Sequence, residues 1–196
     1  NKGGNDITLE DITKIQSGLV LGRKKPGKGA TETFKYTLLT LKSIHPDGYI
    51  IDEYLDEFIS CEKLRDRYIT KSGDIVIRLS SPHSSVYIDE NHQNILVPSL
   101  FNIIRLRDRD FFPEFLSIYL NSDKIKRIYK KNSFGTAVEI IQTSLIKKLN
   151  IANYNLDMQR RIIRINRLRV EENRLTLELL NKKNEYYEEL FDKIFI

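Results

Sequence analysis

Gly22-Arg-Lys-Lys-Pro-Gly27-Lys28 has the spacing of a loop that wraps a nucleotide phosphate. In such loops the glycines let backbone N–H groups close in and the lysine carries the charge. The next residue must be Ser or Thr to hold magnesium, and here it is Gly29. Nor does Ala30–Phe34 open the apolar helix that should follow. The segment reads instead as an exposed basic loop, with Arg23, Lys24, Lys25 and Lys28 placed for DNA phosphates or simply solvated. Other chemistry is absent. A metal-dependent nuclease core needs a carboxylate two residues before a lysine, and no lysine here has one. Asn-Pro-Pro-aromatic, the signature of amino-methyltransferases, is excluded because no Asn precedes a Pro. His45, His83 and His92 lack a paired metal-ligand spacing, and the single Cys61 allows neither an intramolecular disulfide nor a cysteine zinc site. No catalytic residue, metal or cofactor is expected, and the chain reads as a non-enzyme.

Binding chemistry is better represented. Lys124, Lys126, Arg127, Lys130 and Lys131 run without a carboxylate after Asp123 and lead into Ser133-Phe-Gly135-Thr136-Ala137. That small-residue turn could bring backbone N–H groups close to a phosphate. Base reading needs polar side chains on loops, and the best candidates follow an apolar strand: Arg78, Ser80, Ser81, His83, Ser84 and Ser85. Arg160, Arg161, Arg164, Arg167 and Arg169 add a further cluster, while Asp52, Glu53, Asp56 and Glu57 form an acidic patch expected to face away from DNA.

These groups need a scaffold. At 196 residues, 40% hydrophobic and with a net charge of +5, the chain can build a core, and double-stranded DNA is a reasonable partner. No apolar run spans a bilayer and no secretory pattern opens the chain, so a cytoplasmic protein is expected. It begins at Asn1 rather than Met, which reads as a cut or processed boundary. Phe34–Ile44, Gly48–Ile51 and Gly73–Leu79 read as strands, Asn94–Leu106 as two pieces broken at Pro98, and Pro113–Asn132 as a helix with Pro113 in its first turn. From Asp157, a fair N-cap, to Ile196 there is no Gly or Pro. Apolar steps of three, four and seven predict one helix of about 40 residues, roughly 60 Å long. Leu168, Leu175, Leu179 and Tyr186 lie on one apolar stripe, Val170 and Leu177 on a second. Two stripes imply more than one neighbour, hence an interface helix. The expected fold class is α+β: a mixed α/β domain over 1–156, then a coiled-coil-like helix over 157–196.

Several short patterns together resemble the specificity subunits of type I restriction–modification enzymes. Ile12-Thr-Lys-Ile15-Gln-Ser-Gly18 is similar to the opening of their target-recognition domains, and Gly73-Asp74-Ile75-Val76-Ile77 to their Gly-Asp-Ile turn and strand. Phe115-Leu-Ser-Ile-Tyr-Leu-Asn-Ser122 is similar to their Phe-Leu helix, and Gly135-Thr-Ala137 with Ile141, Leu145 and Leu149–Ile151 to their closing turn and strand. Asp157-Met-Gln159-Arg-Arg-Ile162 resembles the opening of their long conserved helix. The usual Pro before that Gln is missing, and Ser81-Pro82-His83 replaces the usual Gly after the strand. The resemblance implies a non-catalytic subunit in which each recognition domain reads half of a two-part DNA target. The helices would space two such domains and dock methyltransferase subunits, alongside a restriction and translocase subunit. With one domain and one helix, the chain is expected to be a half-subunit that pairs as a homodimer, or a fragment of a longer subunit. Two other readings stand beside it: a recognition domain of a fused restriction–methylation enzyme, and a helix-mediated protein–protein adaptor.

Overall fold

The computed structural model describes residues 7–26, 32–133 and 139–195. Its centre is an antiparallel sheet in the order β1 (Thr13–Ser17), β7 (Phe101–Leu106), β4 (Asp74–Arg78), β5 (Ser85–Tyr87). The apolar run Ile75-Val76-Ile77 is buried on both faces, as an uninterrupted hydrophobic strand requires. Ile75 and Ile77, with Ile104, face a helical layer of α1 (Leu9–Ile12), α2 (Pro113–Leu120), α3 (Asp123–Asn132) and α4 (Thr143–Lys147). Val76, Ile103 and Phe101 face the other way, onto Leu39, Ile44, Ile50 and Ile95. There a second sheet, β3 (Asp56–Ser60), β2 (Phe34–Leu38), β6 (Ile95–Leu96), adds a third small core around Leu19, Phe58, Leu64 and Leu96. The helix α5 (Leu156–Ile194) leaves this body as the chain's last element. The architecture is α+β, ending in a long helix.

Asp74 and Arg105 are paired in register across β4 and β7. Arg105 donates to both carboxylate oxygens, at 2.9 and 3.0 Å, and to the Ile69 carbonyl at 3.0 Å. The two-pronged geometry satisfies a carboxylate that is almost wholly buried. In the Gly-Asp-Ile turn the aspartate is thus a fastener of the sheet.

Several sequence-based expectations are corrected. Of the strands expected over Phe34–Ile44 and Gly48–Ile51, the first stops at Leu38 and the second is a turn region with a single bridge from Ile50 to Ile44. Pro113–Asn132 forms two helices, broken at Asn121-Ser122. The Asn121 side chain turns away to bond both backbone groups of Ser85, accepting from its N–H at 2.8 Å and donating to its carbonyl at 2.7 Å, while Ser122 is extended. Pro113 does occupy the first turn of α2. The cap of α5 is Asn155 rather than Asp157: its side-chain oxygen accepts from the Met158 N–H at 2.9 Å.

Candidate nucleic-acid interface and helix base

The register places the C-terminal ends of β1 and β4 beside the start of β7, because Ser17 lies opposite Asn102 and Arg78 opposite Phe101. The chain segments after β1 and after β4 therefore leave the sheet at the same end. Gly18 makes the first exit possible: a side chain there would meet the Pro98 carbonyl oxygen at 2.2 Å. Residues 139–141 join this end, since Ser80 bridges Ile140 and the Ile141 N–H donates to Leu79 at 2.9 Å. The segments after β1 and β4, both singled out for charge or polarity, thus emerge at one end of the sheet, and residues 139–141 meet the second of them there.

Their side chains are not equally available. In α3, Ile125 and Tyr129 are buried in the core, while Lys124, Arg127, Lys130 and Lys131 are exposed and Lys126 is half-buried. The outer face of α3 is an unbroken row of cations, and none of the four exposed ones forms an ion pair among the described residues. Ser133, partly exposed, follows directly. On the β1 side Lys25 is exposed, whereas Lys24 is tied to Glu62 at 2.5 Å. Lys28, Gly135, Thr136 and the Arg23 side chain lie outside the described residues.

The segment after β4 differs from expectation. Ser80, His83 and Ser84 are buried, and Ser81 is the exposed member. Arg78 spends donors on the Ser80 hydroxyl at 2.9 Å and the Leu41 carbonyl at 3.1 Å. The loop turns inward because His83 adopts a left-handed backbone (φ 54°) and packs its ring edge-on to Tyr129, centroids 5.6 Å apart. In this form the loop supports α3 from beneath rather than presenting a row of polar readers.

His83 carries a pH signature. Burial pushes its pKa below the ordinary histidine value, opposed by a bond at 3.0 Å between Nδ1 and the Leu79 carbonyl. The imidazole is neutral when folded, with Nδ1–H donating. The unfolded chain takes up the proton first, so stability is full above about pH 6.5 and falls as the pH drops below that value. His83→Asn, which tolerates a left-handed backbone, is expected to flatten the dependence of Tm on pH below about 6.5. An unchanged slope in thermal melts across that range would remove His83 as the source.

At the other end of the domain, Gln159 joins α5 to the body. It is fully buried, and its Oε1 accepts from the Phe112 N–H at 2.9 Å. Nε2 donates to the carbonyls of Asp110 and Tyr154, both at 2.8 Å. Ile162 and Ile163 pack beside it on the α2 core. Further along, Arg167 grips both oxygens of Glu114, and Arg169 reaches Asp47 at 3.1 Å. Gln159→Leu strands a backbone donor and two carbonyls, so a loss of about 2–4 kcal/mol is expected in chemical denaturation. A change within about 0.5 kcal/mol, the range of ordinary surface substitutions, would mean the amide is not the fastener.

Beyond this base the interface candidates are bare. Leu168 is 65% exposed and Leu179 57%. Leu175, Leu177 and Tyr186 are similarly uncovered, and Val170 is half-buried. Sequence reasoning marked Gln159 through its motif but missed Glu114 and Asp47. Both are ordinary surface acids in sequence, and only the distance-spanning contacts distinguish them.

This arrangement, a mixed three-layer body feeding one long helix, is a known one. The chain is similar to one in a structure of the complex assembly and conformational transition of the type I restriction–modification system, with a TM-score of 0.63 and 17% identity. It is also similar to the HsdS subunit from Thermoanaerobacter tengcongensis (TM-score 0.60, 17% identity). A third likeness is to the type I restriction–modification S subunit from M. genitalium (TM-score 0.53, 19% identity). In the first two, 88% of this chain is covered against 43% of the other, and in the third 89% against 42%. The chain therefore spans less than half the length of the chains whose fold it shares. No protein-family model matches the sequence, and no curated protein matches it either.

Proposed function

We propose that the chain is a non-catalytic DNA-specificity component of a type I restriction–modification system, carrying one recognition domain (1–156) and one spacing helix (157–196). The observation that carries this reading is the correspondence of one domain plus one helix to under half of an S-subunit chain. The cation row on α3 supports it, standing at the sheet end where the segments after β1 and β4 also emerge. In this reading Lys124, Arg127, Lys130 and Lys131 hold phosphates, together with Lys25 and Ser133. Ser81 and the neighbouring turn approach base edges.

The helix supplies the second half of the function. Between 157 and 174 it has six arginines against three acids, and between 175 and 195 three lysines against five acids. Parallel, in-register pairing would set the basic halves together. Antiparallel pairing sets each basic half against an acidic one and brings the exposed leucines into contact. Two copies, or this half and a second half of a longer subunit, would then hold recognition domains at opposite ends and offer the helices to methyltransferase subunits. Two identical halves mirror their symmetry in the site, so the target is a palindromic two-part sequence.

Selection from a random duplex pool by the purified chain tests this. Enrichment of two short inverted half-sites at a fixed spacing is expected. Recovery of duplexes with no shared sequence, at any salt concentration, would reduce the chain to a basic adaptor.

A further inference from the structure

We propose that Asp47 is a positioning residue, a strut that sets the angle between the body and α5 and thereby the spacing over which the helix acts. The proposal rests on the half-site reading for its functional meaning, but its geometric content stands apart from it. Asp47 sits at the tip of the 45–49 turn, where the Gly48 N–H donates to the His45 carbonyl and the His45 N–H to the Tyr49 carbonyl, both at 2.9 Å. One carboxylate oxygen accepts from Arg169 Nη1 at 3.1 Å and the other from Asn173 Nδ2 at 3.3 Å. Both donors lie on α5, one helical turn apart.

The turn that carries Asp47 is built to stay in place. Gly48 has φ +87°, and a side chain on it would come within 2.7 Å of Asn121 Nδ2 and 2.9 Å of the Ser85 carbonyl oxygen. Asn121 is itself locked to Ser85 through both backbone groups. The tip is therefore backed by the break between α2 and α3 and by the start of β5.

What surrounds the contact makes it matter. A cleft of about 590 Å³ lies beside it, lined by Ser117, Asn121, Lys126 and Val170 among others. Asp47 meets the helix directly at the margin of this cleft, beside the half-buried Val170. It is also the outermost of the brackets described for α5, after Gln159 and Arg167–Glu114. From Gln159 to Asn173 is roughly 21 Å of helix and to Lys183 roughly 36 Å. Each ångström of play at Asn173 thus becomes about 2 Å at Lys183. Exposed ion pairs add little stability, so removing this one should leave folding intact and loosen direction alone.

Spin labels on the native exposed Cys61 and on Lys183→Cys, in full-length chain diluted with excess unlabelled chain, measure that direction. Asp47→Ala is expected to shift or broaden the distance distribution by about 2 Å per ångström released at Asn173, with Tm unchanged. Asp47→Arg should disturb it further, and adding Arg169→Asp should restore the original peak. An unchanged distribution in Asp47→Ala, or no recovery in the exchanged pair, overturns the strut whatever the DNA results. On duplexes whose half-sites are moved apart by one base pair at a time, the wild type should accept one spacing and Asp47→Ala several. If the distances respond but neither protein selects a spacing, the strut stands and the half-site reading fails.

Discussion

Replacing Lys124, Arg127, Lys130 and Lys131 with Ala together is expected to weaken duplex binding without regard to sequence. The slope of log affinity against log salt should flatten by about one unit per lost contact, up to about four. Four contacts alone account for a loss of roughly 10²-fold in wild-type affinity between 50 and 200 mM salt. The four side chains are exposed and belong to a helix whose other face, Ile125 and Tyr129, is buried, so the substitution leaves the core untouched. Alanine also favours helix. A rival role is local: Lys130 and Lys131 lie in the last turn of α3, where cations stabilise the helix end by about 0.3–1 kcal/mol. Fluorescence titrations at several salt concentrations, beside thermal melts, separate the two. If Tm falls while affinity and salt slope stay the same, the row is a helix cap and not a phosphate contact.

Leu175→Asp with Leu179→Asp is expected to turn a paired chain into a monomer with an intact body. Both leucines are half-exposed in the single chain and sit past the last contact with the body, so nothing in the fold depends on them. Burying each against a partner helix contributes about 2 kcal/mol, and a carboxylate in that seam is worse than no side chain. A weakening of at least about 10³-fold in self-association follows, at tenfold per 1.4 kcal/mol. Sedimentation of both proteins over a concentration series is the measurement. Persistence of the dimer in the double variant would place the interface elsewhere. A wild-type chain that stays monomeric would mean that the partner helix belongs to a second half of a longer subunit.

Among the described residues no helix is long and apolar enough to cross a membrane, in line with the hydropathy of the sequence. How well local pattern served depends on where each structural decision is made. The helix Leu156–Ile194 was legible to within about two residues, because a run of 39 residues without Gly or Pro has no competing local conformation. Strand β4 was legible because an apolar run after a Gly-Asp turn suits the centre of a sheet. The break at Asn121-Ser122 was not, since apolar spacing continues through it. The helix ends where Ser122 turns extended, beside an Asn121 side chain held by two hydrogen bonds to Ser85, 36 residues earlier.

The candidate interface divides in the same way. Sequence by itself determined the charge row on α3, the two apolar stripes of α5 and the absence of recognisable catalytic spacing, because each is a property of neighbouring residues on one element. Tertiary structure alone decided which candidates stay available. His83 and Ser84 look like surface readers in sequence, yet a left-handed backbone at His83 and the ring of Tyr129 turn them inward. Glu114 and Asp47 look like solvated acids, yet Arg167 and Arg169 meet them across 53 and 122 residues of chain. Such contacts depend on the register of β1, β4 and β7 and on the direction in which α5 leaves the body. Hydrogen bonds and core packing over long sequence separations set both, and no local periodicity records them.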